Sequence, residues 1–208
     1  PPTNLADGHF DLIYAGSVLT HLSVKSQLLW MRELFRLLKP TGRIVLTFHG
    51  GFYIAKAHTR EGFMFSHVGS GLFAEIGAPE GSNQYGSYQT REATRDLFFL
   101  FEEMMHIQQH DILGGQDTIV FKKNSVEIVS DAWRADEVIA VIRTGDAPGG
   151  NIRVELSDYG KLVAVLEQPN MLANQTVVLR APVSKILKAD AVLAKGNAVI
   201  SSVDFIKQ

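Results

Sequence analysis

Two apolar runs and the helix pattern between them constrain this chain most. Phe10 to Ala15 (FDLIYA) is short, mostly apolar, and ends on the small residues Ala15-Gly16-Ser17. Such a run predicts a buried strand. Ser23 is a good N-cap, and Val24, Leu28, Met31, Leu34, Phe35 and Leu38 then recur at spacings of three and four. That is the stripe of a helix packed on a sheet. The helix is predicted to stop in Lys39-Pro40-Thr41-Gly42, because proline cannot continue it and glycine suits the turn. Arg43 to Phe48 is a second apolar strand. Strand, helix, strand with short loops is a βαβ unit, hence parallel strands and a right-handed crossover. Ligands of open α/β sheets bind at the carboxyl ends of the strands, and a strand ending on Ala-Gly-Ser lets one approach the backbone closely.

The next stretch, residues 49–89, differs. It carries eight of the 18 glycines, many aromatics, and His58 and His67. A long irregular segment inside a compact domain is usually functional, so it is expected to be a lid or substrate loop with one short helix near Phe52 to Ala57. Thr90 is predicted to cap a helix running to about Met105, with Ala93, Leu97, Leu100, Phe101 and Met104 as its stripe. His106 to Leu113 and Thr118 to Lys122 read as two strands, with Gly114-Gly115 permitting a tight antiparallel turn.

From Asn124 no helical stripe recurs. Seven β-rich runs follow: Val126–Val129, Glu137–Arg143, Ile152–Ser157, Lys161–Glu167, Gln175–Arg180, Ile186–Ala194 and Ala198–Phe205. Turn clusters separate them, among them Gln168-Pro169-Asn170 and Lys195-Gly196-Asn197. Seven short strands at this spacing predict a small immunoglobulin-like sandwich. The domains are therefore expected to be 1–123 (α/β, with 49–89 as lid) and 124–208 (all β).

Composition narrows the function classes. A net charge of −2 argues against nucleic acid or an anionic membrane as partner. No apolar run reaches the ~20 residues of a membrane span, and no signal peptide is visible. The absence of cysteine excludes disulfides and thiolate metal sites and fits a reducing, cytoplasmic setting.

Taken together, FDLIYAGSVLTHL, WMRELFRLLKPTGRIVLTFHG and GGQDTIVFKK resemble the second half of a class I S-adenosylmethionine-dependent methyltransferase. The resemblance covers roughly Phe10 to Lys123. It implies a partial Rossmann-like sheet of strands four to seven, with strand seven antiparallel, and S-adenosylmethionine as cofactor. The family's glycine-rich loop and ribose-binding acid precede strand four and have no counterpart in these residues. The chain also begins Pro1-Pro2-Thr3, without methionine. A fragment of the enzyme, weak in cofactor binding alone, is therefore expected. So is either a homodimer or a missing N-terminal segment pairing at the Phe10–Ala15 edge.

The resemblance places Ala15, Gly16, Ser17 and Val18 beneath the methionine part of the cofactor, with Leu19 as a wall or core residue. It puts His21 beside the transferred methyl. An imidazole there suits a general base, since its unperturbed pKa is near 6.5; the alternative is a histidine bonded to backbone. His49 has the same standing at the neighbouring strand end. Tyr53, His67, Tyr85 and Tyr88 are candidates to line an acceptor pocket, with His58 beside them. His58 and His67 with Glu61 and Glu75 match no metal-ligand spacing, so no metal is expected. Asp11 reads as structural. Trp133 and Tyr159 could stack on a sugar, or pack in the core or rim. The expected function is methyl transfer to a small-molecule or sugar-like hydroxyl acceptor. The alternative is a non-catalytic binding or assembly protein whose β domain binds glycan or protein.

Overall fold

The computed structural model describes residues 1–58, 63–108, 113–129, 134–183 and 189–208. It forms two compact units, Pro1–Asn124 and Ser125–Gln208.

In the first unit, β1 (Phe10–Ala15) leads through a 3-10 turn, Leu19–His21, to α1 (Val24–Leu37). The Ser23 hydroxyl caps α1 by accepting the Ser26 N–H. Val24, Leu28, Met31 and Phe35 form the buried face of the helix, as their spacing requires. Strand β2 (Leu38–Phe48) follows without a break and runs parallel to β1, pairing Ile13 with Ile44 and Ala15 with Leu46. The predicted turn at Lys39–Gly42 is part of β2. Phe10 faces Leu38 and Leu12 faces Arg43, so the extra residues are absorbed as an irregularity in the ladder rather than as a loop. After α2 (Gly51–Ala57) come β3 (Phe65–Val68), β4 (Gly71–Ile76), β5 (Gly86–Gln89), α3 (Arg91–Leu97), β6 (Phe101–Ile107) and β7 (Asp117–Lys123).

The main sheet has the order β1-β2-β7-β6. Strand β7 is antiparallel to both neighbours. β6 therefore runs with β1 and β2, and the carboxyl ends of these three strands share one edge with the start of β7. The core contains Met31, Ile44, Leu46 and Phe121, all 0% exposed. Phe98 stacks on Phe121 at 5.6 Å, and Phe35 meets Phe101 edge-on at 5.7 Å.

Four expectations for this unit need correction. β1 is not a buried strand: Leu12 is 59% and Tyr14 62% exposed, because β1 lies at the sheet edge among the described strands. The described residues of 49–89 are not irregular. Outside α2 they carry the antiparallel meander β3-β4-β5, with Gly69 at φ 55° in its first hairpin. The helix from Thr90 ends at Leu97, not near Met105. Phe98, Phe99, Leu100 and Phe101 are all buried in succession, which no single helix face allows, and Phe101 to Ile107 instead pair with β7. His106 thus belongs to a strand that begins five residues earlier than predicted, and residues 109–112 of that prediction lie outside the described residues.

The second unit contains β8 (Glu127–Val129), β9 (Glu137–Arg143), β10 (Gly150–Asp158), β11 (Lys161–Met171), β12 (Gln175–Pro182), β13 (Ala189–Lys195) and β14 (Val199–Lys207). Strands β11-β10-β13 form one sheet, and β12, β9, β14 and β8 hydrogen-bond in that order. Val138, Ala140 and Ile142 of β9 and Ile152, Val154 and Leu156 of β10 meet in one core. The immunoglobulin likeness stops there. The last strand lies beside β8 and β9, whereas a constant-type immunoglobulin domain places it with the third and sixth strands. Gln168-Pro169-Asn170 is not a turn but lies within β11. Residues 184–188 and Trp133 lie outside the described residues. Tyr159 sits at the β10–β11 turn, 75% exposed.

Candidate active site

At the carboxyl edge of the main sheet a closed set of hydrogen bonds joins three strand ends. Ser17 follows β1 and adopts φ 59°, a left-handed conformation uncommon outside glycine. Thr47, 2% exposed near the end of β2, accepts the Ser17 N–H at 2.7 Å and donates to Gln116 Oε1 at 2.5 Å. Gln116, just before β7, returns a bond from Nε2 to Ser17 Oγ at 2.8 Å. Thr20 donates to the Ser17 carbonyl at 2.8 Å. Three separate elements thus hold one strained turn, and backbone outliers so fixed cluster at functional sites.

Beside this turn, His106 Nε2 lies 3.1 Å from Asp117 Oδ2. The His106 ring stacks on Phe48 at 6.0 Å. Gly50 is needed here, since a Cβ at that position would fall on the Asp117 carboxylate.

The two candidate bases are tied down through the same ring atom. His21 Nδ1 is 3.1 Å from both the Ser82 and Tyr85 carbonyls. His49 Nδ1 is 3.1 Å from the Ser87 carbonyl. A carbonyl only accepts, so each Nδ1 carries the proton in the neutral ring and each Nε2 carries the lone pair. The Gly81 N–H also donates to the His21 carbonyl at 3.0 Å, so the β4–β5 connection is strapped across the 3-10 turn. His21 ends the 3-10 turn that precedes α1.

Carboxylates fasten the other end of that strap. The Ser23 N–H donates to Glu80 at 2.6 Å and the Val24 N–H to Glu75 at 3.2 Å, where the helix dipole favours negative charge. Burial works against ionised Glu80, but bonds from Ser23 and Ser26 outweigh it and hold the carboxyl below its usual range. Burial, reinforced by Glu75, pushes the Tyr85 phenol well above its usual range.

A buried polar chain supports the strap from beneath. Gln27 Nε2 lies 3.2 Å from the Leu19 and Leu22 carbonyls and 2.8 Å from Gln89 Oε1, while Gln89 Nε2 donates to Thr94 at 2.8 Å. Ser87 donates to the Leu19 carbonyl at 2.6 Å.

Of the predicted acceptor residues, the structure brings two to His49. Tyr53 lies 4.2 Å and Tyr88 5.0 Å from its ring, and Tyr53 OH also donates to the Gly114 carbonyl. Tyr85 and Tyr88 are each only 6% exposed, so they form the wall behind the surface. His67 stands in β3 opposite Leu72. His58 Nδ1 bonds the Ala55 carbonyl of its own helix. Ala15 and Gly16 are half-buried, and Ser17 and Val18 are exposed. Asp11 pairs with Lys39 at 2.7 Å.

Sequence reasoning missed Thr47, Gln116, His106 and Asp117. Thr47 is a polar residue inside an apolar strand, which is itself a signal. Gln116 follows two glycines and carries no such signal. The His106–Asp117 pairing depends on a register that opens only once β6 is recognised. Among the described residues no group of three His, Asp or Glu is placed to hold a metal, and Glu61 lies outside them. Among them, too, no helix is long and apolar enough to cross a membrane.

Comparison with known proteins gives a family match to the start of the chain and likenesses to solved structures. A methyltransferase-domain family model matches residues 2–46. No curated protein matches. A solved SAM-dependent methyltransferase from Methanosarcina mazei is 18% identical over 58% of this chain and 62% of its own, with a TM-score of 0.41. A second structure is Burkholderia thailandensis 1,6-didemethyltoxoflavin-N1-methyltransferase, solved with 1,6-didemethyltoxoflavin and S-adenosylhomocysteine. It is 14% identical over 57% of this chain and 46% of its own, with a TM-score of 0.39. A protein from Pyrococcus horikoshii is 13% identical over 59% and 55%, with a TM-score of 0.41. The chain therefore spans between 46% and 62% of the length of these proteins. Residues 2–46, which hold β1, α1 and the start of β2, are thus similar to a methyltransferase domain.

Proposed function

We propose that this chain contributes one wall of the site of a methyltransferase acting on a small-molecule or sugar-like hydroxyl. The observation that carries this is the Ser17 turn, bound by Thr47 and Gln116 at the carboxyl edge of a sheet whose first βαβ unit matches the family. The residues present fit that wall. The Ala15–Ser17 backbone, with Val18 beyond it, would hold the methionine part of the cofactor. When bound, the sulfonium supplies an electrophilic methyl group with a neutral leaving group.

The chain's own residues would then align and deprotonate. Alignment of reacting groups alone contributes several kcal/mol. His21 Nε2 would accept the proton from the acceptor hydroxyl, and the Ser82 and Tyr85 carbonyls, already bonded to Nδ1–H, would stabilise the imidazolium that results. His49 is the second candidate base. Tyr53, His67, Tyr85 and Tyr88 would shape the acceptor side, with residues 49–89 as its cover. The exposed Leu12 and Tyr14 of β1 suit pairing with a further segment of the enzyme or a second copy. A cytoplasmic setting accords with the lack of cysteine. The contrasting reading, a binding protein that keeps the sheet as scaffold, is separated by one experiment. In the full-length gene product, His21→Ala should lower turnover far more than cofactor affinity. Unchanged turnover would remove His21 from the reaction.

A further inference from the structure

The second unit carries a cleft that the methyl-transfer reading does not use. Its volume is about 430 Å3, within the roughly 300–1,000 Å3 of small-molecule sites. It crosses β10, β11 and β13. Arg153 faces Glu167 on one neighbour and Lys195 on the other, and Ile152 forms part of the lining.

Two irregularities flank Arg153. On the β11 side, Gly150 pairs with Met171 and Ile152 with Gln168, so Pro169 and Asn170 oppose the single residue Asn151. On the β13 side, Arg153 pairs with Lys195 and Val154 with Leu193, leaving Ala194 extra. Bulges bend a strand and re-aim its side chains, and they are over-represented beside functional sites. Here both fall on the neighbours of one residue. The bulges are pinned. Asn170, at φ 50°, donates its N–H to Asn151 Oδ1 at 3.0 Å. The Gly149 N–H donates to the Met171 carbonyl and the Asn197 N–H to the Gly149 carbonyl, each at 3.0 Å. Gly196 packs so closely on Ile152 Cδ1 that a Cβ there would overlap it. The cleft is thus built and held before any ligand arrives.

Arg153, Lys195 and Glu167 are the charged residues of its lining, and Glu155, outside the lining but bonded to Arg153, brings the local sum to zero. Arg153 donates through Nε to Glu155 at 2.8 Å and through Nη1 to Glu167 at 2.6 Å. Lys195 forms no ion pair among the described residues. Two cations face two carboxylates, with the amides of Asn151 and Gln168 alongside. An anionic ligand would meet Glu167, and a polycation would meet Arg153 and Lys195. The cleft also crosses strands rather than following an open strand edge, so it does not suit an added peptide strand. A ring of neighbouring hydroxyls, each both donor and acceptor, matches alternating Lys, Arg, carboxylate and amide groups. Pro169 offers apolar surface to its C–H face.

We infer that this cleft binds a neutral sugar residue, through Arg153, Glu167 and Lys195. The test is amide NMR of the full chain titrated with methyl glycosides of glucose, galactose, mannose and N-acetylglucosamine, with glucuronate as a charged comparator. The expected result is saturable shifts at Asn151, Arg153, Gln168 and Lys195 with at least one neutral glycoside. Arg153→Met and Glu167→Gln should each weaken binding about tenfold, or about 1.4 kcal/mol, with the remaining spectrum unchanged. Lys195→Met, at an exposed position, provides a variant that does not disturb the Arg153 ion pairs. Absence of saturable shifts with every neutral glycoside would overturn the assignment. So would shifts mapping elsewhere, undiminished binding in all three variants, or binding of glucuronate alone.

Discussion

Replacing Thr47 by valine removes one hydroxyl and keeps the shape of the side chain. In the structure that hydroxyl accepts the Ser17 N–H at 2.7 Å and donates to Gln116 Oε1 at 2.5 Å. Both partners lose a bond and neither gains one. A polar group left unsatisfied in the interior costs about 1–3 kcal/mol. The Ser17 N–H faces the Thr47 side chain, which is 2% exposed, so a valine methyl there would keep water from taking the place of the hydroxyl. The expected loss is therefore about 2 kcal/mol, set by the Ser17 N–H left without an acceptor. It should be local. Hydrogen exchange is the suitable assay, because it reports opening at the amide concerned. The Ser17 amide should exchange roughly 30-fold faster, the equivalent of 2 kcal/mol at 1.4 kcal/mol per tenfold, while β9 and β10 amides keep their protection. Ser17→Gly is the contrasting variant. It relieves a left-handed conformation that costs a non-glycine residue about 1 kcal/mol and gives up the Gln116 bond to Ser17 Oγ, worth about 1 kcal/mol. It should be near neutral. Wild-type exchange at Ser17 in Thr47→Val would refute the idea that these contacts hold the turn.

Two further predictions follow from the same packing. Gln27→Leu leaves the Leu19 and Leu22 carbonyls and Gln89 without the buried amide that serves them; it should cost about 2–3 kcal/mol in urea denaturation, and a cost below half a kilocalorie would contradict the network. Glu33 supplies a pH test. The Arg36 hydrogen bond, together with bonds from Thr3, lowers its carboxyl to about 2, against the opposing effect of burial. Because the folded value lies below the unfolded one, the stabilisation is complete above the ordinary carboxylate range and disappears as pH falls toward about 2. Glu33→Gln should flatten that part of the stability profile, and an unchanged acid limb would contradict the assignment.

Much of the second unit was legible because its signal is local. Ile152, Val154 and Leu156 alternate with Arg153, Glu155 and Ser157, and the first three are buried at 1%, 0% and 0%. Glu137–Arg143 was predicted as a strand with the bounds it has. Strand pairing was another matter, since it depends on contacts distant in sequence. The run of seven strands therefore does not show that the last one lies beside β8 and β9. In the first unit the α1 stripe and its Ser23 cap were plain, for the same local reason. The Phe98–Phe101 run was not, because four consecutive apolar residues satisfy a helical spacing and a strand equally well. Phe101 pairing with Lys123 decides for the strand.

The site was legible as a place rather than as a set of contacts. Ala15-Gly16-Ser17 marks the strand end because small residues there are unusual after an apolar run. Nothing local to Thr47 or Gln116 says that they converge on Ser17, which requires β7 to lie beside β2. Nor does the His21 sequence neighbourhood show that a carbonyl 61 residues later fixes its tautomer. The same long-range contacts turned a glycine-rich stretch, read as irregular, into a meander strapped over that histidine.

The central claim is that the turn at Ala15–Ser17 is one wall of an S-adenosylmethionine site. Titration of the full-length gene product with S-adenosylmethionine, followed by calorimetry and by amide NMR, tests it directly. The account predicts saturable binding with the largest shifts at Gly16, Ser17 and Thr47, weakened in Thr47→Val. No detectable binding at roughly millimolar cofactor, a floor of about 4 kcal/mol in affinity, or binding that leaves these amides unmoved, would contradict it.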